Sequence, residues 1–141
     1  HADNWGYFSI AGRTSLVSSP IYDCGSCLYP QIADEAIPDI LADENEIIMR
    51  VDKFPTAALL LENNRKANYK DYIQSLVNPD CTAALSRIYP RIDLTVINNV
   101  IDSEPLSDIR KDFYKVMLRA RFERILMSAY HSIYSQTSFF S

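Results

Sequence analysis

Three glycines serve a chain of 141 residues, and long stretches pass without any turn signal. A strand-rich sandwich needs frequent glycine-containing turns, so this scarcity points to helices. The length fits one compact domain with a real core. Strand signals are local. Tyr7 to Ile10 and Ser15 to Tyr22 carry alternating β-formers around Ala11-Gly12-Arg13-Thr14, the pattern of a β-hairpin. Pro20 restricts the second strand to an edge or a bulge.

From Ile32 onward the apolar spacing becomes helical. Pro38 is expected to start or break a turn. Glu44 to Val51 reads as a short helix, ended by the extended bias that Pro55 imposes on Phe54. A second small hairpin is expected from Ala57–Leu61 and Lys66–Tyr69 about an Asn-Asn turn. Asn68 caps a helix through Asp71, Ile73 and Leu76, and Asn78 caps another over Cys81 to Ile88, closed by Pro90. Ile92 to Ile101 follows, with Leu94, Ile97 and Ile101 on one side. The strongest element begins at Ser107, a good N-cap, with Asp108 at the positive helix end. Ile109, Phe113, Val116, Met117, Ala120, Ile125, Ala129 and Ile133 keep helical spacing over about seven turns. The expectation is a mainly α lobe carrying two small β-hairpins.

Charge excludes some functions. The net charge is −4, with acidic and basic residues mixed along the chain. No basic stripe of the kind a phosphate-backbone binder needs is present. The clusters Asn63 to Lys66 and Arg119 to Arg124 read as solvated faces. No apolar run approaches the roughly 18–20 residues that span a bilayer, and no signal-peptide pattern opens the chain. No membrane or direct nucleic-acid partner is expected, and the default location is cytoplasmic.

The chemistry is expected at the base of the first hairpin. Asn4 precedes its first strand and Asp23 follows its second. Pairing about the turn sets residues whose numbers sum to 27 opposite one another, which brings an amide oxygen and a carboxylate to one end. Hard oxygen ligands in that number suit Mg²⁺ held together with nucleotide phosphates. Both residue types are also common turn formers, and hairpin-end capping is the alternative.

The surrounding residues decide between these readings. His1-Ala2-Asp3-Asn4-Trp5-Gly6-Tyr7-Phe8, followed by Ser19-Pro20-Ile21-Tyr22-Asp23-Cys24-Gly25-Ser26, resembles the catalytic core of the HipA-like bacterial kinases. In that family an Asp-x-His-x-x-Asn loop leads into a short hairpin that returns through Pro-(aliphatic)-Tyr/Phe-Asp. The resemblance implies that His1 is the loop histidine, Asn4 the metal-binding asparagine and Asp23 the metal-binding aspartate. It covers about residues 1–30 specifically. Phe54 to Leu59 and Asn68 to Ile73 match more loosely. By this reading residues 1–30 hold the end of the catalytic loop, the hairpin and the metal-binding loop, and residues 31–141 form a helical subdomain. Together they make one domain, the helical C-lobe of a HipA-like, protein-kinase-like fold.

The implied function is ATP- and Mg²⁺-dependent transfer of phosphate to serine or threonine of a protein substrate. The family setting is bacterial, often a toxin neutralised by a DNA-binding antitoxin. The catalytic aspartate is expected two residues before His1 and the nucleotide-clamping N-lobe further upstream, so these residues alone are expected to be inactive. The chain opens at His1 without a methionine, which fits removal of an upstream part or a residue left from an affinity tag. The competing reading is a helical interaction domain, or a pseudokinase lobe without phosphotransfer. Phosphorylation of a small molecule or a lipid would share the same metal site.

Other signals are weaker. Cys24-Gly25-Ser26-Cys27 is a CxxC, but a structural zinc site needs four ligands and only Cys81, His1 and His131 remain, at unpatterned spacings. A tight turn after Asp23 with free thiols is the expectation. Asp3 is assigned to the loop in preference to the metal, and His131 to a helix end. Trp5, Tyr7, Tyr22 and Tyr29 are expected to pack the hairpin on the helices. The tail from Tyr134, with Phe139 and Phe140, either docks or frays.

Overall fold

The computed structural model describes residues 7–12, 14–18, 27–53 and 64–137. Strand β1 (Tyr7–Ser9) pairs antiparallel with β2 (Leu16–Ser18), and Gly12 takes the positive φ of +83° that the connection requires. The pairing is Tyr7 with Ser18, Phe8 with Val17 and Ser9 with Leu16. Paired numbers therefore sum to 25, not 27, and the register differs by two residues from the expected one. The turn is centred a residue earlier, at the midpoint of the Ala11–Thr14 segment, where the glycine supplies the left-handed conformation.

Helices dominate the rest of the described chain. A single 3₁₀ turn (Asp34–Ala36) leads into α1 (Ile37–Ala42), with Pro38 in its first turn where a missing N–H costs nothing. Then come α2 (Glu44–Asp52), α3 (Tyr69–Ser75), α4 (Pro79–Ile88) and α5 (Leu94–Ser103). A 3₁₀ turn over Tyr89–Arg91, containing Pro90, closes α4. Side chains of Asp43, Asn68, Asn78 and Asp93 accept from backbone N–H groups in the first turns of α2 to α5, at 2.7 to 3.1 Å for the shortest bond of each. Each satisfies an N–H that the helix itself leaves unpaired. Leu76, in the left-handed region at φ +53°, ends α3.

The long C-terminal element departs from the expected uniform helix. Helix α6 (Asp108–Arg121), capped by Ser107, runs into six π-helical residues, Phe122–Met127, and continues as α7 (Ser128–Thr137). Phe113, Met117, Arg121, Ile125, Ala129 and Ile133 are spaced by four. In an α-helix each such step rotates the stripe by about 40°, which would carry Ala129 and Ile133 to the far side. The wider π turns counter that drift. Ile125 and Ala129 are buried, at 6% and 1% exposure.

The core joins α1, α2, α6 and the π segment through Ile37, Ile40, Ile47, Val51, Phe113, Met117 and Ile125. Helices α3, α4 and α5 pack on the outside of the α6–α7 rod. Val116, expected on the apolar stripe, is 39% exposed. It lies about 60° around the helix from Phe113, at the flank of the buried face. The first strand of the expected second hairpin falls outside the described residues. Of its second strand, Lys66 forms an isolated bridge, whereas Tyr69 already begins α3. Among the described residues no helix is long and apolar enough to cross a membrane.

Candidate functional site

The residues assigned to metal and nucleotide, His1, Asn4 and Asp23, lie outside the described residues, as do Asp3, Trp5 and Cys24. Among the described residues no group of three or more His, Cys, Asp and Glu side chains comes together. What the structure describes is the frame on either side of the candidate site: the hairpin between Asn4 and Asp23, and the chain leaving Asp23 from Cys27 onward.

That exit is tied to the helical core at two points. The Arg121 guanidinium, at the end of α6, donates to the Cys27 carbonyl at 2.8 Å. Burial pulls the pKa of Arg121 below its ordinary value, with nearby Tyr29 and Cys27 acting in the opposite sense. Two residues on, Tyr29 occupies the left-handed region at φ +57°, which costs a non-glycine residue roughly 1–2 kcal/mol. Its ring packs against the core and its hydroxyl donates to the Arg50 carbonyl of α2 at 3.3 Å. Its own carbonyl accepts from Ile32 N–H at 3.1 Å. Tyr29 thus packs as expected, and the strained conformation is held by contacts on both sides. Cys27 is an exposed free thiol.

Two acid–base nodes brace the lobe around this frame. Asp34 accepts from Ser107 and pairs with Arg110, whose Nε lies 2.9 Å away and whose other nitrogen also reaches the Ile32 carbonyl. The hydroxyl of Ser107 and then the Arg110 guanidinium hold the Asp34 carboxyl below its usual pKa. Asp52 sits between Arg124 at 2.9 Å and Lys70 at 2.8 Å, and hydrogen bonding from Arg124 lowers its pKa. Gln74 of α3 donates to the Arg124 carbonyl at 2.6 Å within the π segment.

Arg121 and Arg124 therefore correct the reading of Arg119 to Arg124 as a solvated face. Only Arg119 of the three arginines is exposed. The signal was present in the spacing, because Arg121 occupies a period-four position otherwise filled by buried apolar side chains. His131 is exposed on α7 and meets the edge of Tyr89. Tyr89 also stacks between Phe122 and Tyr130.

Comparison with known proteins shows what this frame resembles. No family model matches the chain. The chain is 40% identical over 127 residues to the serine/threonine-protein kinase CtkA of Helicobacter pylori strain J99, across 89% of this chain and 39% of the relative. This chain is similar in sequence to a serine/threonine-protein kinase. The crystal structure of a Helicobacter pylori proinflammatory kinase CtkA shares its fold, with a TM-score of 0.81 and 38% identity over 94% of this chain and 45% of that one. The chain thus spans less than half the length of the kinases it matches. The mainly helical architecture agrees with the C-lobe of a kinase-like fold.

Proposed function

We propose that the parent of this chain is an ATP- and Mg²⁺-dependent serine/threonine protein kinase of HipA type, working in the cytoplasm. The observation that carries the reading is 40% identity to CtkA over most of this chain. The first thirty residues add His1-x-x-Asn4, the end of the family's loop pattern, and Pro20-Ile21-Tyr22-Asp23 at the corresponding chemistry. In this reading Asn4 and Asp23 hold the metal and His1 belongs to the loop that shapes the nucleotide site. An amide oxygen and a carboxylate are hard donors that fit Mg²⁺, which leaves most of its coordination to phosphate and water. Bound there, the ion would neutralise charge on the transferring phosphates.

The chain's own contribution is positioning. The hairpin lies between Asn4 and Asp23 in sequence, and the Arg121 and Tyr29 contacts secure the chain four to six residues beyond Asp23. A misplacement of 1 Å in such a site can cost about 100-fold in rate. The general base of this reading is an aspartate two positions ahead of His1, supplied by the parent protein together with the N-lobe. A protein is the substrate, and a DNA-binding antitoxin is the partner that the family setting suggests.

The test is Mg²⁺-dependent ATP binding and phosphate transfer by the intact parent, compared with Asn4→Ala and Asp23→Ala. Both variants are expected to lose turnover by at least about 100-fold, the size of effect one positioning or charge-stabilising group has. Normal Mg-ATP binding and turnover in both would remove the site assignment. Phosphoamino-acid analysis of the product separates protein phosphorylation from transfer to a small molecule or a lipid.

A further inference from the structure

A cavity of about 680 Å³ opens between the end of α1, the start of α2, α5, α6 and the π segment. Its walls take nothing from the hairpin or from the residues that anchor it. The apolar part comes from Leu41, Ala42, Ile47, Val116 and Ala120. The volume falls within the range of ligand-binding pockets. It is open enough at Val116 to leave that side chain 39% exposed.

The charges around it are unbalanced. Glu44, Asp112 and Glu123 stand on the rim and form no ion pair or side-chain hydrogen bond with other described residues. Two cations share the rim. Lys115 is already engaged by Asp102 at 2.5 Å, which leaves Arg119 against three carboxylates. Such a rim attracts a cationic partner and repels an acidic one.

The order along the rod adds geometry. Asp112, Val116, Ala120 and Glu123 follow one another at helical spacing along α6 and into the π segment. They form a strip with a carboxylate at each end and small apolar side chains between, about 16 Å long by helix rise. We propose that this groove docks an amphipathic helical segment of another protein, flanked by lysine or arginine. Its apolar side chains, one turn apart, seat on Val116, Ala120 and Leu41. Its cations lie at the two ends, opposite Asp112 and Glu123, and Arg119 disfavours a cation at the middle.

The experiment is a peptide-display selection on the intact parent protein, followed by fluorescence anisotropy with the synthesised winners. Enriched peptides are expected to carry apolar residues at i and i+3 or i+4 with lysine or arginine about 11 residues apart. They should bind at least about tenfold more weakly to Val116→Glu and to Asp112→Lys/Glu123→Lys, and more weakly at higher salt. All three positions are exposed, so unchanged thermal midpoints for the variants separate lost docking from lost folding. Absence of enrichment, an acidic consensus, or equal binding to the variants overturns the proposal. So does a groove that accepts winners only after the rest of the parent is removed, since its occupant would then be the parent itself.

Discussion

Phe113 offers a quantitative test of where the core lies. Its ring is fully buried, at 0% exposure, among residues of α1, α2 and α6. A buried aromatic side chain removes roughly 150–250 Å² from water, equivalent to about 4–6 kcal/mol at ~25 cal/mol per Å². Phe113→Ala keeps the β-carbon but leaves a cavity, so the expected cost is about 3–5 kcal/mol. At roughly 3–4 °C per kcal/mol for a chain near this size, the melting midpoint should fall by about 9–20 °C. Val116→Ala, three residues along the same helix, is the matched control. Its side chain is 39% exposed, and alanine is the better helix former, so the change should lie within about 0.5 kcal/mol. Urea unfolding followed by circular dichroism measures both, and an unchanged m-value confirms that the same surface is exposed. A cost below about 1 kcal/mol for Phe113→Ala, or an equal cost at Val116, would refute the placement of the α6 face.

The acid–base nodes set a pH dependence. The carboxyl pKa values of Asp34 and Asp52 are lowered in the folded chain, so their stabilisation is full above the unfolded carboxylate pKa of about 3.9 and is lost as pH falls through the folded values. Unfolding midpoints should hold between pH 5 and 7 on account of these groups and drop below about pH 4, and Asp34→Asn/Asp52→Asn should flatten the drop; an unaltered acid slope in that variant contradicts the assignment. Because the Arg124 and Asp52 side chains are 36% and 31% exposed, an Asp52→Ala/Arg124→Ala double-mutant cycle should give a coupling of about 0.5–1 kcal/mol, weakened in 1 M salt. A salt-independent coupling of about 3 kcal/mol or more would mean that the pair is far more desolvated than the structure has it.

Much of the helical order is local and so could be read from the residues. Asn68, Asn78 and Ser107 cap the helices they precede because a short polar side chain can reach the free N–H groups of the next turn. Pro38 and Pro90 mark helix boundaries for the equally local reason that they lack an N–H. The hairpin was legible from its β-formers and Gly12, yet its register was not. Pairing by symmetry about the turn ignores which residue takes positive φ, and moving the turn by one residue moves every cross-strand partner by two. The candidate metal ligands were legible only as motif letters, since His1, Asn4 and Asp23 belong to a pattern of residue types with no periodicity to test.

The C-terminal rod shows why pattern alone stops short of structure. Helical spacing predicts a single helix from Ser107 onward, and the apolar positions do fall three and four residues apart. Taken strictly, however, the stripe from Phe113 to Ile133 advances by fours throughout, and no α-helix keeps such a stripe on one side for five steps. Either the stripe leaves the core or the helix unwinds. The chain takes the second course over Phe122–Met127, and the tertiary structure shows what is gained. Ile125 and Ala129 stay buried, Arg124 reaches Asp52, and its carbonyl accepts from Gln74. Arg121, at the one polar position of the stripe and the last residue before the unwound segment, meets the chain at Cys27. The departure from regular helix thus keeps the stripe in the core directly after the residue that holds the frame of the site.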